Sequence, residues 1–481
     1  MSPWLVLVIV CFAQFMVVLD ATIVNVALPS IQHDLGFKPT DLAWVINSYT
    51  LLFGGFLLLG GRAADLFGRK RLFIAGVSLF TIASLLNGLA TTPGQLVGFR
   101  ALQGLGGALV SPAALAIITT TFAEGPERTR ALGVWAAIAG GGSAVGLILG
   151  GVLVDSFSWP WVFIVNVPVG IGVVIAALRL VPESRSDHAT GFDLAGAATV
   201  TGGIVSLVYA VVEAGSKGWG STETLGFSAL AAVLIAAFVA IERRHIAPLV
   251  RLGILRVRSL LVANVAMLLT ISGMFAMFFF ATIYLQEVQG YSPLKTGFAF
   301  LPFTVGIIGG SVFAQNLIAR LGLRTTMVSG LLFAAVGLLM MTRLTVGGAF
   351  ATELLPAMIL IAIGMGLVFV PITLLATTGI DGADQGLASG LFNTSQQFGG
   401  ALGLAFLSTI AASRTTSELR DAGAAPTGGE QLDALMSGYH LAFVIGAVFM
   451  ACAAAIVVAS LRSEHVAGID VEEGLATPVA A

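Results

Sequence analysis

Residues 4–28 read Trp4-Leu-Val-Leu-Val-Ile-Val-Cys11-Phe-Ala-Gln14-Phe-Met-Val-Val-Leu-Asp20-Ala-Thr-Ile-Val-Asn25-Val-Ala-Leu28. A helix crosses the hydrocarbon core of a bilayer with about 20 mostly apolar residues, and this run is long enough. It is too long for the core of a signal peptide, lacks a small-x-small cleavage site, and contains an acid. No basic region precedes it, since the first basic residue of the chain is Lys38. The stretch therefore reads as a retained transmembrane span. Its start so near Met1 leaves room for a short cytoplasmic leader ahead of it.

Working outward, the same pattern repeats along 481 residues, of which 57% are hydrophobic and 10% charged. Soluble domains need roughly 25% charged residues to cover a wet surface. Apolar stretches fall at about 4–30, 42–62, 72–91, 95–122, 131–153, 161–181, 194–213, 224–241, 260–286, 296–319, 325–345, 354–378, 386–412 and 437–461. That makes fourteen expected spans of an all-α membrane protein, with no dyad pattern of a β-barrel. The longest polar stretches, 413–436 and the tail 462–481, read as solvated or partly disordered.

Lys and Arg favour cytoplasmic loops. With the N-terminus inside, 16 of the 23 basic residues fall in cytoplasmic loops, 6 in outer loops, and Arg100 within a span. A miscounted helix would scramble this alternation, so the asymmetry predicts both termini in the cytoplasm and a multi-pass protein of the cytoplasmic membrane. Cys11 and Cys452 lie in apolar runs and read as packing residues. A net charge of −2 argues against nucleic acid as a partner.

Ionisable side chains deep in a bilayer cost at least ~2.5–3.5 kcal/mol on insertion scales and mark function by default. Asp20 is the one acid well inside a span and Arg100 the one deep base; Glu213, Glu287 and Glu353 fall at expected outer ends. Counting about 1.5 Å per residue, Asp20 and Arg100 sit at comparable depth. They could pair statically, or share a water-filled cavity in which Asp20 binds and releases a proton under the influence of the cation. Arg100, Gln103, Gly107 and Ser111 share a face of the fourth span, expected to line a cavity. Gly386, Gly390, Asn393 and Gln397 form a similar stripe, and Gln14 and Asn25 share a face of the first span. Interhelical hydrogen bonding is the alternative for each. Gly142, Gly146 and Gly150 recur at steps of four, which suits close helix packing or a sliding contact between two halves.

None of the four lysines follows a glycine, so no Walker A loop is present. An ion gradient is the expected energy source, with no cofactor and no metal.

Several motifs are specific. Leu19-Asp20-Ala21-Thr22-Ile23-Val24-Asn25-Val26-Ala27-Leu28-Pro29, Gly61-Arg-Ala-Ala-Asp65-Leu-Phe-Gly68-Arg69-Lys70-Arg71 and Arg100-Ala-Leu-Gln103-Gly104 stand in the first, second and fourth spans or their loops. With Trp159 to Gly170, Tyr284 to Pro293 and Gly386 to Asn393, they make the chain resemble the fourteen-helix drug:proton antiporters of the major facilitator superfamily, the QacA/EmrB type. The likeness runs over essentially the whole chain. At one position the chain departs: Gly146-Leu147 stands where those antiporters carry Gly-Pro, so the proline bend is absent.

The resemblance implies two six-helix bundles, 1–181 and 260–461, two intervening helices in 194–241, and a cytoplasmic tail 462–481. It implies proton coupling at Asp20 and Arg100, and a conformational latch of Gly61, Asp65, Gly68 and Arg69 against the other half. An internal repeat is visible too: setting Gly322 on Gly68 puts Ala319 where Asp65 stands. The implied function is proton-coupled export of lipophilic drugs by alternating access, by a monomer. Phe275, Phe278, Phe279, Phe298, Phe300 and Phe303 suggest an aromatic wall for a lipophilic neutral or monovalent cationic substrate. A dedicated exporter of one natural product, or a carrier of another small solute, is the alternative. A haem or quinone enzyme would want paired intramembrane histidines, whereas His33, His188, His245, His440 and His465 fall in loops or near helix ends. A transport-dead sensor would be expected to lose the charged pair.

Overall fold

The computed structural model describes residues 2–39, 41–122, 125–185, 193–245, 248–377, 380, 385–422 and 427–461. The tail 462–481, with Arg462 and His465, and His188 lie outside them. The described residues form helices and no strands: α1 (Pro3–Leu35), α2 (Trp44–Phe67), α3 (Arg69–Gly88), α4 (Pro93–Thr121), α5 (Pro126–Ser156), α6 (Trp161–Ile164), α7 (Asn166–Leu180), α8 (Leu194–Lys217) and α9 (Thr222–Arg244). After a short 3₁₀ turn come α10 (Arg258–Ile283), α11 (Pro293–Ala299), α12 (Leu301–Leu321), α13 (Leu323–Met341), α14 (Leu354–Thr377), α15 (Gln385–Asp421) and α16 (Gly428–Ser460). Among the described residues, twelve helical stretches are long and apolar enough to cross a membrane, with α6–α7 and α11–α12 each counting as one. Two further helices have the length, α5 with 31 residues and α15 with 37, and α15 dilutes its apolar residues with glycines, amides and hydroxyls.

Local chemistry sets the helix ends. Pro3, Pro93, Pro126 and Pro293 occupy first turns, where the missing N–H costs nothing. Thr92, Asp193, Ser221, Ser292 and Thr427 cap their helices through side-chain oxygens. Pro168 cannot donate to the Ile164 carbonyl, and α6 ends at Ile164. The single residues Gly68 and Gly322 join α2 to α3 and α12 to α13 with φ of 107° and 81°. A side chain is strained there, so the two positions paired by sequence make the same one-residue turn.

The segment 413–436 is a correction. Rather than a solvated loop, it continues α15 to Asp421 and begins α16 at Gly428. The Arg414–Glu418 ion pair, one turn apart, supports the first extension. A capping box between Thr427 and Glu430 starts the second. Polar composition alone did not distinguish an exposed helix from a loop.

Helices α1–α7 and α10–α16 form two groups that meet mainly at one end of the bundle, the end bearing the Lys38 loop. There the Gln286 amide donates to the Val26 carbonyl at 2.9 Å, and His33 stands 3.0 Å from Glu287. Both Gln286 and Glu287 lie on a single π-helical turn, Tyr284–Val288, that directly continues α10. On the neighbouring face, a Cβ on Gly151 would meet Pro293 and Leu294 at 2.8 and 2.7 Å. The turns of α1 nearest the Lys38 loop (Ile23 to Ile31) share one apolar core with α10–α16. The core around Val6–Val17 and Ile117–Phe122, towards the Gly68 end, is separate from it. Nearer the middle, α2 and α15 touch at Gly54, whose carbonyl accepts the Thr394 hydroxyl at 3.3 Å.

Helix α8 lies along that α2–α15 seam. Leu51 of α2, Val208 and Val212 of α8, and Phe398, Ala401 and Ala405 of α15 make one apolar cluster. Helix α9 packs behind α8, and only 11% of its most apolar stretch is buried.

Candidate functional site

Asp20 and Arg100 lie at the centre of the first helical group, with side chains 0% and 1% exposed. Arg100 Nη1 donates to Asp20 Oδ2 at 2.5 Å. Asp20 Oδ1 accepts from the Gln103 amide at 2.7 Å and from the Asn166 amide at 3.1 Å. The carboxylate thus takes three donors, two of them neutral.

The guanidinium is held as firmly. Its Nε donates to the Val45 carbonyl at 3.0 Å and its Nη1 also reaches Gln103 Oε1 at 2.7 Å. The plane lies over the Tyr49 ring, 4.3 Å from its centroid, with Phe163 at 5.6 Å on another side. Gln103 is shared further: its amide nitrogen meets Ser84 Oγ at 2.7 Å and its carbonyl accepts from Asn87 at 2.8 Å. Elements α1, α2, α3, α4, α6 and α7 therefore converge on one charged pair. A buried charge costs several kcal/mol unless its remaining bonds are made, and here they are made by the neutral amides of Gln103 and Asn166 and by the Val45 carbonyl.

Other expected site residues land elsewhere. Gln103, Gly107 and Ser111 were expected to line a cavity, yet all face neighbouring helices: Gln103 is fully buried, a Cβ on Gly107 would meet Phe53 and Tyr49 at 2.9 and 3.3 Å, and Ser111 donates to Gln14 at 3.1 Å. Gln103 and Ser111 make interhelical hydrogen bonds, and Gly107 makes a close interhelical contact. Asn25 turns its amide on its own helix, to the Ala21 and Thr22 carbonyls. Phe279 is 2% exposed and packs edge-on against Phe280, 5.3 Å between centroids. Phe278 sits against Phe300 and Phe303, while Phe298 is exposed. Phe278, Phe279, Phe300 and Phe303 pack into the core of the second group; Phe275 is half-buried, 3.2 Å from a Cβ built on Gly400 of α15. Half-buried Asn393 and Gln397 lie on α15, and a Cβ on Gly54 would meet Gln397 at 2.5 Å.

Gly142, Gly146 and Gly150 seat α5 on α1, beside Val18, Thr22 and Ile23. The contact of α5 with the other group lies on the adjacent face, where Gly151 and the Leu147 carbonyl meet Leu294 and Gly297 of α11.

At the opposite end, Asp65 pairs with Arg69 at 2.9 Å. Glu183, just past α7, accepts from the Lys70 N–H at 3.2 Å and lies 3.6 Å from Arg71. A Cβ on Gly68 would meet that carboxylate at 2.6 Å, and Gly61 faces Pro112 of α4. These bonds tie α2, α3 and the end of α7 within one group. Of the acids expected at helix ends, Glu287 pairs with His33 and Glu353 accepts from Thr345.

Sequence reasoning missed Asn166, Ser84 and Asn87 as members of the network. The available signal for Asn166 was its place two residues before Pro168, at a helix break where its side chain is free to turn inward.

The pattern of the Major Facilitator Superfamily matches residues 10–404. The chain is 43% identical over 470 residues to a puromycin resistance protein of Streptomyces alboniger, covering 96% of this chain and 92% of that one. It is 40% identical over 448 residues to a cephamycin export protein of Amycolatopsis lactamdurans, covering 92% and 90%. Its fold matches the crystal structure of a bacterial homologue of the human lysosomal transporter Spinster in an inward-facing, unoccupied conformation, with TM-score 0.66, 17% identity, and 97% and 98% of the two chains covered.

Proposed function

We propose that this chain, which belongs to the Major Facilitator Superfamily and is a multi-pass protein of the bacterial cell membrane, exports lipophilic antibiotic-like molecules in exchange for protons. Its relatives named for puromycin resistance and cephamycin export support the direction and the class of cargo. The coupling reading is carried by one observation: a fully occluded Asp20 whose one cationic partner among the described residues is Arg100.

In this reading the proton and the substrate are bound alternately. Ionised, Asp20 holds Arg100 and draws α1 onto α4. Protonated, it gives up the charge that answers the guanidinium, and the contact of α1 with α4 loosens. Helix α1 carries that change outward, because Val26 and His33, on the same helix, make contacts with α10. The Lys38 end is read as extracellular from the Lys and Arg asymmetry, so the described conformation is closed outside. One charge crossing 100 mV supplies ~2.3 kcal/mol, enough for roughly a 50-fold gradient of a neutral solute. No cofactor enters the cycle.

The finer architecture follows the same reading: α5 and α15 complete fourteen spans, with bundles 1–181 and 260–461 flanking the pair in 194–241. Both termini are cytoplasmic, 462–481 is a cytoplasmic tail, and the unit is a monomer. Gly61, Asp65, Gly68 and Arg69 steady one of the two access states.

Proteoliposomes with an imposed pH gradient and a panel of lipophilic dyes and antibiotics test the proposal. Uphill transport by Asp20→Asn, or no proton release when substrate is added to wild type, would sink it. The names of the relatives favour a second reading, a dedicated exporter of one natural product; the breadth of the panel separates the two.

A further inference from the structure

Apart from the Asp20 network, two other carboxylates are buried against each other at the Gly68 end. Asp193 caps α8, its Oδ1 accepting the Gly196 N–H at 2.6 Å. Glu242 stands in the last turn of α9, and its Oε2 accepts the Val250 N–H at 3.1 Å. The two residues are 2% and 5% exposed. The second oxygen of each, Asp193 Oδ2 and Glu242 Oε1, is buried with no hydrogen-bond partner.

Those two bare oxygens converge. A Cβ built on Gly196 would lie 2.5 Å from Asp193 Oδ2 and 2.8 Å from Glu242 Oε1, so the missing side chain leaves the space between them open. His245 is near enough to act electrostatically on Glu242, and Arg243, Arg244 and Arg251 are exposed at the same end. None of these cations bonds either bare oxygen. Among the described residues no third ligand completes a metal site.

Two carboxylates sharing a buried site do not both ionise, and a buried acceptor without a donor is costly. We infer that Asp193 and Glu242 hold one proton between them as a carboxyl–carboxylate pair. The proton, taken from the aqueous phase at the Gly68 end, rests on one carboxyl and is donated to the bare oxygen of the other. Its release leaves two facing carboxylates. The pair fastens the start of α8 to the end of α9 and, through Val250, to the segment entering α10. It makes no use of the Asp20 cycle.

The test uses the full-length protein in lipid nanodiscs, unfolded thermally from about pH 6 to about pH 9. A proton held only in the folded state stabilises at low pH and is lost as pH rises, so the wild-type melting temperature falls with pH. In Glu242→Gln and in Asp193→Asn that fall shrinks by at least half. Infrared difference spectra supply a second readout: a protonated-carboxyl carbonyl band at neutral pH that persists in Asp20→Asn and vanishes in either of the other variants. Should one variant not fold, the other carries both comparisons. Equal pH slopes in all proteins, an unchanged band, or recovery of alkaline stability on adding Mg²⁺ or Ca²⁺ would overturn the shared proton.

Discussion

Arg100 Nη1 lies 2.5 Å from Asp20 Oδ2, and neither side chain is more than 1% exposed. The two residues stand eighty positions apart on different helices, so their meeting is a property of the packed bundle. A pair this dry has no solvent to take over if one partner leaves.

Asp20→Asn keeps the shape and most hydrogen-bonding capacity while removing the charge. Uphill accumulation in inverted vesicles should fall from the roughly 50-fold that 100 mV allows to no gradient, with downhill flux retained. Radiolabelled substrate with and without a protonophore measures both.

Arg100→Ala leaves an uncompensated buried carboxylate, which costs about 3–5 kcal/mol. A loss of folded yield and a large drop in melting temperature are expected. The double variant Asp20→Asn/Arg100→Gln should recover most of that loss, because neither charge is then left alone. Fluorescence-detected size exclusion after heating reads the series.

Gly146→Ala places a methyl group into the Thr22 hydroxyl, closer than van der Waals contact allows. Overpacking of this kind costs about 1–3 kcal/mol. Combining it with Thr22→Gly should restore thermal stability, whereas Gly133→Ala, in open space, should change it little.

Cysteines at His33 and Glu287, in a background with Cys11 and Cys452 replaced, should be joined by a short bifunctional thiol reagent. Since this contact bridges the two helical groups, cross-linking should stop transport, and reduction should restore it. Continued transport by the linked protein would mean that this end stays shut throughout the cycle.

Much of this was legible beforehand, for reasons that differ by residue. The helix positions follow from apolar runs, because the bilayer admits little else. Asp20 and Arg100 stood out because charge inside a membrane is expensive and therefore sparse. Asn166, Ser84 and Asn87 did not, since neutral polar residues are tolerated in any span and only tertiary packing selects which of them turn inward. The same limit explains Gln103, Gly107 and Ser111: helical spacing identifies a polar face but not whether it meets water or another helix. Phe279 illustrates the apolar version, a ring whose sequence suits a binding wall and whose position is core. The segment 413–436 was read by composition, while its structure is decided by local pairs such as Arg414–Glu418.

Helix α8 rests on both α2 and α15, while its companion α9 buries only 11% of its most apolar stretch. Any rocking of one helical group past the other must move α2 against α15, and therefore under α8. The pair α8–α9 thus joins the annular lipids mechanically to the seam. A bilayer too thick or too thin for α9 pays its mismatch, fractions of a kcal/mol per Å, at the very contact that transport must shear. Acyl-chain length belongs among the variables that set the turnover of this protein.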